Sequence, residues 1–191
     1  MSRAVEHAGG PSTRQQAPVV WITGLSGTGK STTARALQSV LAAEGCTALL
    51  LDGDEFRAAV SDDLGHSPAD RLTNALRLVR FAGLSSRQGV VTIVATMSLF
   101  APVYRELRSS IPNLRLVYLH SPIDVLARRD PKRLYAEVSA GQRQYVVGVD
   151  LPFDAPPDPD LSLDTSNLES CQENVRQIRF SLAKWLPITS T

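Results

Sequence analysis

Pro18-Val19-Val20-Trp21-Ile22-Thr23-Gly24-Leu25-Ser26-Gly27-Thr28-Gly29-Lys30-Ser31 is the stretch on which the fold turns. Its first six residues are a short apolar run rich in β-branched side chains, the pattern of a buried strand. The run stops at a turn with glycines at 24, 27 and 29. Residues 30–44 then place Ala34, Leu37 and Leu41 at helical spacing, and Gly45 closes that segment. Strand, glycine-rich turn and helix in this order gather backbone N–H groups round one point and add the positive end of a helix, which suits a phosphate.

The spacing from Gly24 to Ser31 matches G-x-x-x-x-G-K-[ST]. In that reading Gly24, Ser26, Gly27, Thr28 and Gly29 form the cradle for ATP, and Lys30 reaches its β- and γ-phosphates. The Ser31 hydroxyl ligates Mg²⁺, and Thr32 contacts the α-phosphate. The competing reading is an ordinary glycine-rich turn, against which the flanking strand and helix both argue.

Working outward, residues 47–52 form a second strand. Ser67 can cap a helix, Pro68 suits its first turn and Asp70 complements its dipole, so a helix is expected to Gln88 with Leu72, Leu76, Val79 and Leu84 on its apolar side. Residues 90–96 are a continuous apolar run, expected in a central parallel strand. Residues 114–119 read as a strand, 123–129 as a short helix, 161–164 as a short last strand and 168–185 as a closing helix. Strands separated by helices need right-handed crossovers. The expected fold class is therefore α/β, a three-layer P-loop NTPase with a parallel sheet between helix layers. Residues 18–187 would be the kinase domain and residues 1–17 a flexible lead-in. Residues 131–159 carry Pro152, Pro156, Pro157 and Pro159 with little periodicity, so a mobile lid is expected over roughly 130–160.

The chain has 191 residues, 43% of them apolar and 20% charged, with a formal net charge of +1. That length supports one sizeable core. The near-neutral balance argues against a sequence-blind nucleic-acid binder, which needs surplus Lys and Arg to displace counterions. No apolar stretch reaches the roughly 18 residues of a membrane span. Cys46 and Cys171 show no metal-ligand or disulfide spacing, which points to packing roles and a cytoplasmic setting.

Asp52-Gly53-Asp54 ends the second strand, at the edge where open α/β sheets bind ligands. Two carboxylates one residue apart can divide labour, one near a metal and the other accepting the proton of an attacking hydroxyl. A solvated turn in which Asp54 only caps the next helix is the alternative.

The runs Leu51-Asp52-Gly53-Asp54-Glu55-Phe56-Arg57, Asp63-Leu64-Gly65-His66-Ser67-Pro68-Ala69-Asp70-Arg71-Leu72-Thr73-Asn74 and Arg129-Asp130-Pro131-Lys132-Arg133-Leu134-Tyr135 resemble the adenylylsulfate kinases. So do Gly148-Val149-Asp150-Leu151-Pro152-Phe153-Asp154-Ala155-Pro156 and Leu163-Asp164-Thr165, and the likeness extends over residues 18–185. That family transfers the ATP γ-phosphoryl group to the 3′-hydroxyl of adenylyl sulfate. The resemblance implies that Asp54 is the general base or orients the hydroxyl and that Asp52 lies near the metal. It also implies that Arg57, Arg71 and Asn74 bind the acceptor nucleotide and that Arg129 and Lys132 serve ATP. Homodimers occur in the family.

Three places depart from the family pattern. His66 stands where the first of two adenine-stacking phenylalanines is expected, and Val146, beside Tyr145, stands at the second. Ala101 replaces a serine after the central strand. Stacking on a base contributes about 1–3 kcal/mol per contact, so these positions bear on the acceptor. The Val146-Val147-Gly148-Val149-Asp150 stretch resembles the cytidine diphosphoramidate kinases. Adenylyl sulfate and a cytidine diphosphate derivative or other metabolite therefore both stand as acceptors, and a nucleotide-dependent switch is the reading from another class.

Overall fold

All five side chains of β1 (Val19–Thr23) are buried. They leave the strand alternately on opposite faces, as the strand period of two requires. Val19 and Trp21 join a core with Leu78, Val103 and Leu107. Val20 and Ile22 join another with Leu37, Leu41 and Ile178. A strand buried on both faces belongs at the centre of a parallel sheet. In the computed structural model, which describes residues 16–130, 133–142, 144, 146–167 and 170–186, β1 is the central strand of five.

The elements follow as α1 (Lys30–Ala43), β2 (Ala48–Asp52), α2 (Gly53–Val60), α3 (Pro68–Arg87), β3 (Val91–Ala95) and α4 (Ala101–Ser110). Then come β4 (Leu114–His120), α5 (Ile123–Arg129), α6 (Leu134–Ser139), β5 (Leu161–Asp164) and α7 (Ser170–Ser181). The sheet order is β2-β3-β1-β4-β5, and every pairing is parallel. Helices α3 and α4 pack on one face and α1 and α7 on the other, giving the three layers expected from the sequence. The chain passes from β3 to β4 across β1, so the order reverses at β1 and leaves a crevice at its carboxyl end.

Several expectations shift. Residues 1–15 lie outside the described residues, but Ala17 is not a loose lead-in: it is buried, its N–H donates to Ser86 O at 3.0 Å and its carbonyl accepts from Ser86 Oγ at 2.6 Å. The stretch 131–159 is not wholly irregular, since it contains α6. The closing helix ends at Ser181, and Trp185 sits in the turns beyond it. Both cysteines are half-buried, and burial pushes the Cys46 thiol above its ordinary value, as a packing role implies. Among the described residues, no helix is long and apolar enough to cross a membrane.

Candidate active site

Gly24 leaves β1 at φ 153°, and a Cβ there would lie 2.2 Å from the Leu119 carbonyl oxygen of β4. Only glycine lets the loop start this close to the neighbouring strand. The loop then curls over residues 24–29 into α1, whose first residue is Lys30. Thr28 Oγ1 and Lys30 Nζ both donate to the Leu25 carbonyl, at 2.9 and 2.8 Å. Ser26 and Thr28 are buried, Gly27 is half-buried, and Gly29 and Thr32 are exposed. A cleft of about 340 Å³, bounded in part by Leu25, Thr28, Tyr118, His120 and Phe153, lies beside the loop.

Across from the loop, β2 delivers the acid turn. Ser31 Oγ donates to Asp52 Oδ2 at 2.5 Å, and Asp52 Oδ1 accepts the Asp54 N–H at 3.0 Å. Asp52 is thus the N-cap of α2, and Asp54 is an exposed acid in the first turn of that helix. The turn is tight because of Gly53, where a Cβ would come within 2.7 Å of Thr96 Oγ1 at the end of β3. The Thr96 and Ser98 hydroxyls sit 3.0 Å apart and are buried.

These groups, a glycine-rich loop with its lysine, tied through Ser31 to a turn with two carboxylates, make up the candidate site. Residues 16–164 match the family model described as Adenylylsulphate kinase. The chain belongs to the adenylylsulphate kinase family. It is 42% identical over 160 residues to the adenylyl-sulfate kinase of Deinococcus deserti, covering 84% of this chain and 88% of that protein. It is 39% identical over 184 residues to the adenylyl-sulfate kinase of Vibrio cholerae, covering 95% and 85% respectively. The Mycobacterium tuberculosis APS kinase CysC, solved in complex with AMPPNP and APS, superposes with a TM-score of 0.82 at 34% identity, covering 87% of this chain and 98% of that one.

In this member of the adenylylsulphate kinase family, the residues expected around the acceptor cluster at α2 and the start of α3. Arg57 Nη1 donates to Gly65 O at 2.7 Å, and Arg71 Nε donates to His66 O at 3.0 Å. The two guanidinium groups therefore brace the loop that carries His66, which is exposed. Asn74 is 6% exposed, and its buried Oδ1 has no hydrogen-bond partner among the described residues. Ser67 caps α3 through Asp70 N.

Val146 is 2% exposed. Its N–H donates to Asp150 Oδ1 and its carbonyl accepts three amides from residues 149–151, so it anchors a tight turn. Lys132 and Tyr145 fall outside the described residues. Arg129 donates to Ser166 O at 2.7 Å and more weakly to Gly27 O at 3.4 Å, bridging the phosphate loop and the turn after β5. His120 packs its ring 5.7 Å from Tyr118, and its carbonyl accepts two hydrogen bonds from Thr165.

Sequence reasoning passed over several residues that shape this site. The Asp154 carboxylate accepts the Ala101 N–H at the start of α4, and its carbonyl accepts the Tyr104 hydroxyl at 2.7 Å. Burial raises the Tyr104 phenol far above its ordinary value, so it stays a donor. Tyr135 reaches the loop from α6 and donates to Ser26 O at 3.2 Å. Both Asp154 and Tyr135 stand inside the runs that resemble the family, and that was the only available signal, because their partners lie fifty or more residues away.

Proposed function

We propose that the protein transfers the γ-phosphoryl group of ATP to the 3′-hydroxyl of adenylyl sulfate, giving ADP and 3′-phosphoadenylyl sulfate. The observation that carries this is the Ser31–Asp52–Asp54 chain of hydrogen bonds, which ties the acid turn directly to the first turn after the phosphate loop. The 39–42% identity to curated adenylyl-sulfate kinases supports the choice of acceptor.

In this reading the amides of residues 24–29 bind the triphosphate and Lys30 leaves the Leu25 carbonyl to meet the β- and γ-oxygens. Asp54, exposed at the mouth of the crevice, accepts or orients the hydroxyl proton. Arg57 and Arg71 offer planar forks to the acceptor's anionic groups, and Asn74 Oδ1 gains the donor it lacks among the described residues. Arg129 serves ATP, the role that the family resemblance also gives Lys132, and the segment of roughly residues 130–160 acts as a lid.

Ser31 and Asp52 would hold Mg²⁺. They supply one hydroxyl and one carboxylate, and no group of three or more His, Cys, Asp or Glu residues able to hold a metal occurs among the described residues. That sparse oxygen set fits Mg²⁺, which takes few protein ligands and fills its shell with water and substrate phosphate. When bound, it supplies charge neutralisation at the phosphate oxygens.

A cytidine-containing acceptor is the second reading. The resemblance of the Val146-Val147-Gly148-Val149-Asp150 stretch to the cytidine diphosphoramidate kinases supports it, and the buried Val146 gives an adenine no open face there on which to stack. Measuring ADP release across an acceptor panel, with Asp54→Ala alongside, separates the readings. Turnover with adenylyl sulfate should fall about 10²–10⁴-fold in the variant while ATP binding persists. A variant that keeps full turnover would remove Asp54 from the chemistry. An unmodified protein that binds ATP but phosphorylates no acceptor would point to a switch.

A further inference from the structure

A loop that turns its N–H groups inward to a phosphate turns its carbonyls outward, and each buried outward carbonyl needs a donor. Leu25 O is served from within the loop, by Thr28 and Lys30. Ser26 O is served from outside it, by the Tyr135 hydroxyl at 3.2 Å, 109 residues along the chain. Tyr135 is 7% exposed and packs in the same core as Leu25, Leu126 and Val147. The helix that carries it is itself held, since the Asp130 carboxylate accepts the Ala136 N–H and the Asp130 carbonyl accepts the Arg133 N–H, both at 3.0 Å. Burial, reinforced by the nearby Asp130 charge, raises the Tyr135 phenol above its ordinary value and keeps it a donor.

The peptide unit joining Ser26 to Gly27 is planar and trans, so its C=O and N–H point in opposite directions. Gly27 sits at φ 83°, and a glycine adopts either sign of φ at little cost, so this peptide could flip unless something holds it. We propose that Tyr135 is a positioning residue for the phosphate cradle: by holding the Ser26 carbonyl outward, its hydroxyl keeps the Gly27 N–H aimed at the nucleotide phosphates. Docking of α6 and readiness of the loop then become one event. The inference rests on the ATP-binding reading above and deepens it.

Tyr135→Phe keeps the buried ring and deletes the hydroxyl that donates to Ser26 O. Titration calorimetry with ADP, steady-state kinetics and thermal melting are compared between the variant and the unmodified protein. The Kd for ADP is expected to rise about three- to tenfold, because part of the population holds a flipped peptide. The KM for ATP should rise with it, while the KM for the acceptor and the Tm stay as they were. Unchanged ADP affinity in the variant overturns this inference and leaves the proposed function standing. A lowered Tm with all kinetic parameters worsened together also overturns it, since that is a packing role. Failure of the unmodified protein to bind ADP overturns both.

Discussion

Asp52 divides its carboxylate between two donors, the Ser31 hydroxyl on one oxygen and the Asp54 N–H on the other. Asparagine caps a helix about as well as aspartate but carries no charge. Asp52→Asn should therefore change the unfolding free energy by less than about 1 kcal/mol. It should also raise the Mg²⁺ concentration needed for half-maximal turnover and lower kcat at least about tenfold, measured by magnesium titration of the steady-state rate. The sequence made this pair of acids legible as one turn at the end of β2, through strand, glycine and spacing. It did not reveal which acid caps α2, because that depends on where the helix begins. A second residue-scale test concerns pH. The Arg77 guanidinium, through hydrogen bonds to both carboxylate oxygens, holds Asp63 below its ordinary value of 3.8. A carboxyl depressed in the folded state contributes stability above its unfolded pKa and loses it as pH falls through the folded pKa. Asp63→Asn should therefore lower the Tm slightly at neutral pH and leave it unchanged well below pH 3.8, as followed by melting across an acid series. Both groups are at the surface, so the effect should also shrink with added salt.

Among the elements, α2 starts with no connecting loop, since Gly53 follows the last residue of β2 directly. That junction works because Gly53 lies against the side chain of Thr96, with room for a hydrogen and not for a methyl group. Gly53→Ala should push the start of α2 away from β3, destabilise the protein by about 1–3 kcal/mol and displace Asp54. Denaturant unfolding would read the first effect, and a loss of kcat larger than the loss of ATP affinity would read the second. The elements that sequence left unread share a physical reason. Helix α4 has Phe100 at its N-cap with no side-chain cap, so the usual start signal is missing. Helix α6 has six residues, too few to establish a period, and is entered through Arg133 in a left-handed conformation at φ 55°. By contrast, α1 and α3 were legible, one from its glycine turn and the other from Ser67, Pro68 and Asp70.

For the whole molecule, apolar runs separated by helices were enough to read a parallel three-layer sheet, because the central strands β1 and β3 bury both faces. Strand order was not legible, since it depends on which crossover passes over β1. That order sets the site: β2 and β3 bring the acid turn to one side of the loop, and β4 with β5 brings Arg129 and the Ser166 turn to the other. Around the acceptor the sequence showed departures from the family pattern at His66 and Val146, and side-chain burial then showed that these two positions differ, one exposed and one closed. The central claim is phosphoryl transfer from ATP to adenylyl sulfate, and product analysis by phosphorus NMR tests it most directly. With purified protein, Mg²⁺, ATP and adenylyl sulfate, one new phosphomonoester on the 3′ position should appear in step with ADP. ADP formation without that ester, or an ester formed on a cytidine acceptor while adenylyl sulfate is left intact, would contradict the account.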